Sequence, residues 1–337
     1  MVTSQDVARL ANVSQSTVSR CFRGEGYVNS KTRTKVLKAA GELGYYPDYF
    51  ARGMKSKKSG IIGLILPDYN NIFFSTLMKS IETYLKQRGY RLMLAYHDED
   101  EKKERECLEI MMSSRADGLF IVPAADTEAN VDLYDTMQRN GVKIVQLIRR
   151  LHSDINTVMI DDEMGGYLAA KYLLDQGHRN IVITEYGFNE KAPTKTMGFL
   201  RAYREKGEDT KNAHIIDLPF SVDLTAIIAG AIMSNKATAI ITSNIPITIN
   251  ALEACKRQNL SVPDDISLIA YDDSPWLDLL NITAIAHPMS DIGKDMANMM
   301  LSMLDGITEE KEKPEVGQSL IAIKPYLVLR GSVKTLK

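Results

Sequence analysis

Asp6-Val7-Ala8-Arg9-Leu10-Ala11-Asn12-Val13-Ser14-Gln15-Ser16-Thr17-Val18-Ser19-Arg20 reads as two short helices and the turn between them. Thr3 stands where it can cap the first helix, with Asp6 three residues on as its capping-box partner. Val7, Leu10 and Ala11 recur at i, i+3, i+4 and predict its buried side. Asn12 tolerates the left-handed backbone that ends a helix. Ser14 then caps a second helix that continues through Phe22, until Gly24 and Gly26 break it. Ser30 is expected to cap a third helix over 31–43, with Val36, Ala39, Ala40 and Leu43 inward. Two short helices joined by a tight turn form a helix-turn-helix. The second helix has one thin apolar side, Val18, Cys21 and Phe22. Its other side carries Gln15, Ser16, Ser19 and Arg20, short polar groups and a guanidinium with no acid. Such a face can enter a DNA major groove. There Arg20 can pair with guanine and Gln15 with adenine, each discriminating by about 1–3 kcal/mol.

Charge is segregated in the same way. Residues 1–60 hold eleven Lys and Arg against four Asp and Glu, a net of +7, whereas the whole 337-residue chain carries −2. A basic segment on an acidic body implies a polyanionic partner for that segment. Length predicts two or three domains, and 45% hydrophobic with 25% charged residues is ordinary globular composition. No run is long and apolar enough for a membrane span, and the N-terminus does not read as a secretory signal. Cys21, Cys107 and Cys255 share no CxxC spacing, so three reduced thiols in a cytoplasmic protein are expected. His97, His152, His178, His214 and His287 share no metal-ligand spacing, and no metal or cofactor is implied.

The quoted run, followed by Gly26-Tyr27-Val28, Thr32-Arg33 and Leu43-Gly44-Tyr45-Tyr46-Pro47, closely resembles the headpiece of the LacI/GalR family of ligand-responsive bacterial transcription regulators. The resemblance extends along essentially the whole chain. It implies a headpiece over 1–46, a hinge helix and linker over 47–59, and an effector-binding and dimerisation domain over 60–337. DNA contacts are expected from Ser14, Gln15, Ser16, Thr17, Ser19, Arg20, Asn29, Thr32, Tyr45, Ala51 and Met54. In the family the hinge helix folds on operator DNA and a leucine wedge opens the minor groove. Met54 takes that wedge position, and Asp48 stands where the family usually has Asn. A segment this short, weakened further by Gly53, is not stable as an isolated helix.

From residue 61 onward, apolar runs at 61–66, 91–96, 118–122, 143–148, 180–184, 238–242 and 266–270 alternate with helix-length amphipathic stretches. This predicts parallel sheets with crossover helices, in two doubly wound lobes. No GxGxxG or Walker loop follows any strand, so nucleotide binding has no support. The resemblance implies the periplasmic-binding-protein fold, with an effector between lobes of about 60–159 plus 288–319 and 160–287 plus 320–337. The paired carboxylates Asp161-Asp162 and Asp272-Asp273 are read as strand neighbours facing opposite ways. The methionines near 296–303 are read as packing a lobe or a dimer seam.

Carried over by motif, the effector residues are Asn71, Phe73, Arg149, Lys195, Asn244, Asp272 and Trp276. Phe74 reads equally as core or cleft. Arg149 replaces a usual acid, Ile245 replaces another, and Lys195 stands for a usual Arg. These departures shift the cleft toward positive charge, and an anionic effector, a sugar acid or sugar phosphate, is expected. The alternative is that Arg149 turns outward or pairs with Glu185 or Asp272. The expected protein is a homodimeric repressor on a pseudo-palindromic duplex, controlling carbohydrate genes. Its rivals are a solute-binding protein of a sugar transport system, which shares the cleft fold, and an enzyme of sugar metabolism.

Overall fold

The computed structural model describes residues 2–23, 27–46, 58–124, 130–152, 154–186, 194–219, 223–306 and 320–336. The chain separates into two compact units, Met1–Ser59 and Gly60–Lys337. Asp48, Ala51, Gly53 and Met54 of the expected hinge lie outside the described residues, as do Gly24 and Gly26. No described helix is long and apolar enough to cross a membrane.

The first unit holds α1 (Ser4–Ala11), α2 (Gln15–Arg23) and α3 (Ser30–Glu42). Thr3 and Asp6 form a reciprocal capping box on α1, and these hydrogen bonds hold the Asp6 carboxyl below its usual range. Asn12 ends α1 in the left-handed region at φ 51°. Two expectations need correction. Ala8 rather than Leu10 joins Val7 and Ala11 in the core, and Leu10 is 50% exposed. The cap of α3 is Asn29, whose Oδ1 accepts from the Lys31 amide at 2.8 Å, so Ser30 is already helical. Val18 and Cys21 of α2 meet Val36, Ala39 and Ala40 of α3 in one small core.

The second unit contains two six-stranded sheets. The first is ordered β11-β5-β4-β3-β1-β2, from β1 (Ile61–Leu66), β2 (Arg91–Tyr96), β3 (Gly118–Ile121), β4 (Lys143–Leu147), β5 (Asn156–Ile160) and β11 (Leu320–Ile323). All its pairings are parallel. The second is ordered β12-β10-β9-β8-β6-β7, from β6 (Ile181–Tyr186), β7 (Ala213–Leu218), β8 (Ala239–Ile241), β9 (Ser267–Tyr271), β10 (Thr283–Ala286) and β12 (Tyr326–Val328). Only the β10–β12 pairing is antiparallel.

Helices cover both faces of each sheet, which is why the strands are apolar almost throughout. On the first sheet, α4 (Ile72–Gln87) and α12 (Met289–Asp305) pack on one face, α5 (Glu101–Ser113) and α6 (Val131–Arg139) on the other. Met296 and Met300 lie in that first core. On the second sheet, α9 (Leu224–Ser234), α10 (Ile245–Arg257) and the short α11 (Pro275–Leu279) cover one face. The other is covered by α7 (Asp162–Asp175) and α8 (Lys195–Lys206).

The chain crosses between sheets after β5, after β10 and after β11. The last crossing corrects the expected lobe boundary. Leu320–Ile323 pairs with Thr157–Ile160 in the first sheet, so the chain leaves the first lobe at Lys324-Pro325 and not before residue 320. His178 is structural: its ring nitrogens meet Thr238 Oγ1 and the Lys334 carbonyl, each at 2.9 Å, and tie down the C-terminal segment. The three cysteines are buried free thiols, and burial pushes the Cys255 thiol up to about 11.

Candidate effector cleft and nucleic-acid face

In both sheets the strand order reverses beside the first strand of the lobe, and in open α/β sheets ligands bind at the carboxyl strand ends near that point. Asn71, Phe73, Arg149, Asn244 and Asp272 all lie just beyond such strand ends, and Lys195 opens the helix after β6.

The second lobe gathers a charged cluster. Lys195 Nζ donates to Asp162 Oδ2 at 3.2 Å and stands 4.5 Å over the Tyr271 ring. Tyr271 donates its hydroxyl to Asp162 Oδ1 at 2.9 Å. Burial pulls the Lys195 ammonium down, but the carboxylates of Asp162, Glu185 and Asp272 outweigh it and raise the group above its usual value. Asp272 sits in the left-handed region at φ 68°, and its Oδ1 meets His287 Nε2 at 3.1 Å. The His287 ring contacts Phe73 of the first lobe edge-on at 5.9 Å and Tyr271 at 5.5 Å. His287, on the crossing after β10, therefore links the two lobes. Beside it opens a cavity of about 300 Å³, lined from both lobes by Phe73, Met289, Ser274, Tyr326 and Arg330.

The close approach of α7 and α8 makes the cluster possible. A Cβ on Gly198 would overlap the Glu163 carbonyl oxygen, and one on Gly166 would overlap that of Lys195. Backbone-to-backbone packing brings the first turns of the two helices together, and with them Asp162 and Lys195. Gly198→Ala is expected to cost at least about 2 kcal/mol, because the obstruction is backbone and cannot swing away. Calorimetric unfolding measures it, and an unchanged melting temperature would refute the packing argument.

The first lobe contributes Arg149, which grips Glu99 bidentately at 2.7 and 2.8 Å and donates to the Pro123 carbonyl at 2.8 Å. Its partner is thus neither Glu185 nor Asp272. Both cations on which an anionic effector was expected are engaged by carboxylates of the chain itself. Asn71 caps α4 through the Phe73 amide at 3.1 Å, and Asn244 caps α10 through the Ile247 amide at 2.9 Å. Phe73 and Phe74 are both largely buried and stack edge-to-face at 5.3 Å. Trp276 is brought together with Ile249, Leu252 and Leu280 of the outer helical layer, not with the Asp272 cluster.

Sequence reasoning passed over Asp162, Tyr271 and His287 as partners of the cleft. Asp161 and Asp162 are not strand neighbours. Asp161 caps α7 through the Met164 amide, which frees Asp162 to face Lys195. Asp273 likewise turns to Arg330, at 2.9 Å, and leaves Asp272 to His287. A cap residue followed by a first-turn acid was the available signal.

On the first unit, Ser14 Oγ accepts from the Thr17 amide at 3.2 Å and meets the Ser16 and Thr17 hydroxyls at 2.8 Å. Gln15 donates to Ser4 Oγ at 2.8 Å, which braces α2 on α1. Ser16 and Arg20 are exposed, Thr17, Ser19 and Thr32 half-buried. Arg20 Nε donates to the Ser16 carbonyl at 3.4 Å. Asn29 is engaged as a cap, and Tyr45 packs edge-on against Phe22 at 5.8 Å.

Comparison with known proteins assigns both units. Residues 59–326 match the family model of periplasmic binding proteins and sugar binding domain of LacI family. Residues 3–48 match the model of bacterial regulatory proteins, lacI family. The chain is 30% identical to the HTH-type transcriptional repressor PurR of Vibrio vulnificus (strain CMCP6), over 99% of each chain. It is 30% identical to the HTH-type transcriptional regulator DegA of Bacillus subtilis (strain 168), over 99% of this chain and 98% of that one. It is 29% identical to the ribose operon repressor of Haemophilus influenzae, over 100% of both. Among solved structures, the lac repressor dimer bound to operator and the anti-inducer ONPF aligns with a TM-score of 0.78 at 22% identity, over 99% of each chain. A regulator from Enterococcus faecium with bound ribose aligns at 0.68 and 24% identity, over 82% of this chain and 100% of that one. These two share the fold. By its two family matches, the chain belongs to the LacI family of bacterial regulatory proteins.

Proposed function

We propose that the protein is a homodimeric transcriptional repressor that binds a pseudo-palindromic operator through α2 and is controlled by a small neutral carbohydrate held between its lobes. The observation that carries the DNA-binding part is α2 itself: anchored by Val18 and Cys21, braced through Gln15, and presenting Ser16 and Arg20 outward from a segment of net charge +7. The contacts of Ser14, Thr17, Ser19, Asn29, Thr32 and Tyr45, and those of Ala51 and Met54, belong to this reading. A solute-binding role would need only the body and leaves the matched headpiece without a task.

For the effector, Asp162, Glu185 and Asp272 gather around the Lys195 ammonium among the described residues, and acceptors of this kind suit sugar hydroxyls. A ribose operon repressor among the relatives and a ribose-bound regulator among the structures support a carbohydrate. Exposed Ile249, Leu279 and Leu280 beside Trp276 supply apolar surface for a dimer. Effector binding would change the relative orientation of the lobes and so the geometry offered to DNA.

The experiment is a mobility-shift screen of the purified full chain against fragments of its own genome, followed by footprinting. The expected result is retention of a small subset of fragments, with a footprint of two half-sites. Equal binding to every fragment, or none, would refute the repressor reading.

A further inference from the structure

Arg149 and Glu99 meet through two unusual turns. Ile148 has φ 64°, although β-branched residues rarely enter that region. The Arg149 amide donates to the Leu147 carbonyl at 2.6 Å, closing a γ-turn over it. Glu99 itself has φ 58° and follows Asp98 at φ 49°. Held strain of this kind persists where surrounding structure fixes it. Here it serves one arrangement: a bidentate pair at 2.7 and 2.8 Å, with a third bond to the Pro123 carbonyl. Arg149 thereby joins the ends of β2, β3 and β4, on the edge of the sheet that faces the proposed effector. The two side chains are 31% and 21% exposed, so the pair is partly open to solvent rather than sealed in the core, at the strand ends where ligands of such sheets bind.

We infer that Glu99 determines effector specificity: its carboxylate is the built-in occupant of the Arg149 fork and sets the cleft against anionic ligands. This rests on the reading of the cleft as the control site. A guanidinium edge accommodates one carboxylate bidentately. A ligand carboxylate or phosphate that takes the fork must break both charge-assisted bonds between Arg149 and Glu99, a cost that a neutral polyol does not meet. Glu99→Gln keeps the side chain's shape and one hydrogen bond to Arg149 while returning a full positive charge to the site.

The test compares the full-length wild type, Glu99→Gln, Glu99→Ala and Glu99→Gln/Arg149→Gln by calorimetric titration and thermal shift. D-glucuronate and inorganic phosphate are the probes, at constant ionic strength. Each protein's own ligand-free melting temperature is the reference. Glu99→Gln is expected to bind at least one anion about tenfold or more tighter than wild type, equivalent to about 1.4 kcal/mol. The double variant should lose that gain. Glu99→Ala uncovers the same fork and serves if the glutamine variant folds poorly. Equal anion affinity in wild type and both single variants overturns the inference, as does a gain that survives loss of Arg149. A gain that leaves operator affinity unchanged supports the role of Glu99 and counts against the cleft as the control site.

Discussion

Lys195→Met is expected to destabilise the second unit by about 3 kcal/mol. Methionine conserves most of the volume and can still lie against Tyr271, so the loss isolates the charge. What remains is a cluster of Asp162, Glu185 and Asp272 whose shared counter-ion is gone. Removing one partner of a buried pair costs more than the pair contributes, because the survivors stay desolvated. The pH dependence has a definite sign. The folded-state value of Lys195 is raised above its ordinary 10.5, so its contribution is complete below that value and fades as pH rises through the folded one. The gap between wild type and variant in urea unfolding should therefore stay constant between about pH 6 and 9 and narrow only in more alkaline solution. A difference under about 1 kcal/mol at neutral pH would show that the carboxylates do not depend on Lys195.

What could be read in advance follows the range of each interaction. The headpiece is built from contacts a few residues apart, and Thr3, Asp6, Asn12 and Ser14 take the capping roles their positions imply. The errors there, Leu10 for Ala8 and Ser30 for Asn29, are shifts of one or two positions on a helix. Seven strands announce themselves as apolar runs, but interior β5 and β10 do not, because Asn156, Thr157 and Thr283 and the small alanines of β10 break the apolar signal. β7 (Ala213–Leu218) and β12 (Tyr326–Val328) lie at sheet edges with partly exposed residues, and no such run marks them. The last crossing was misplaced because Leu320, 51% exposed, begins an edge strand. The charge of the cleft was the least legible feature. Counting Arg149 and Lys195 as free cations ignores partners that lie 50 and 33 residues away. Only the fold brings Glu99 and Asp162 to them. Identity of a residue at a motif position is local information, whereas its charge in context is not.

Operator affinity is expected to fall about 10³-fold or more between about 50 and 200 mM salt. Each headpiece is strongly cationic, with Arg9, Arg20, Lys31, Arg33, Lys35 and Lys38 all exposed, and a dimer presents two. Neutralised phosphates release counter-ions, and that term sets the slope regardless of base sequence. Arg20 should behave differently from the others. It lies on the outward side of α2, and its guanidinium is held near the helix by the Nε bond to Ser16. A bidentate contact to guanine from such a position is worth about 1–3 kcal/mol. Arg20→Ala should therefore relax preference at one base pair in each half-site and flatten the salt slope only slightly. Arg33→Ala should instead weaken binding to all sequences alike and reduce the slope by about one. Titrations of both variants against single-base operator substitutions at several salt concentrations separate the two behaviours. Binding that is flat in salt would contradict the phosphate-contacting headpiece, and an Arg20→Ala protein with unaltered base preferences would remove α2's claim to read sequence.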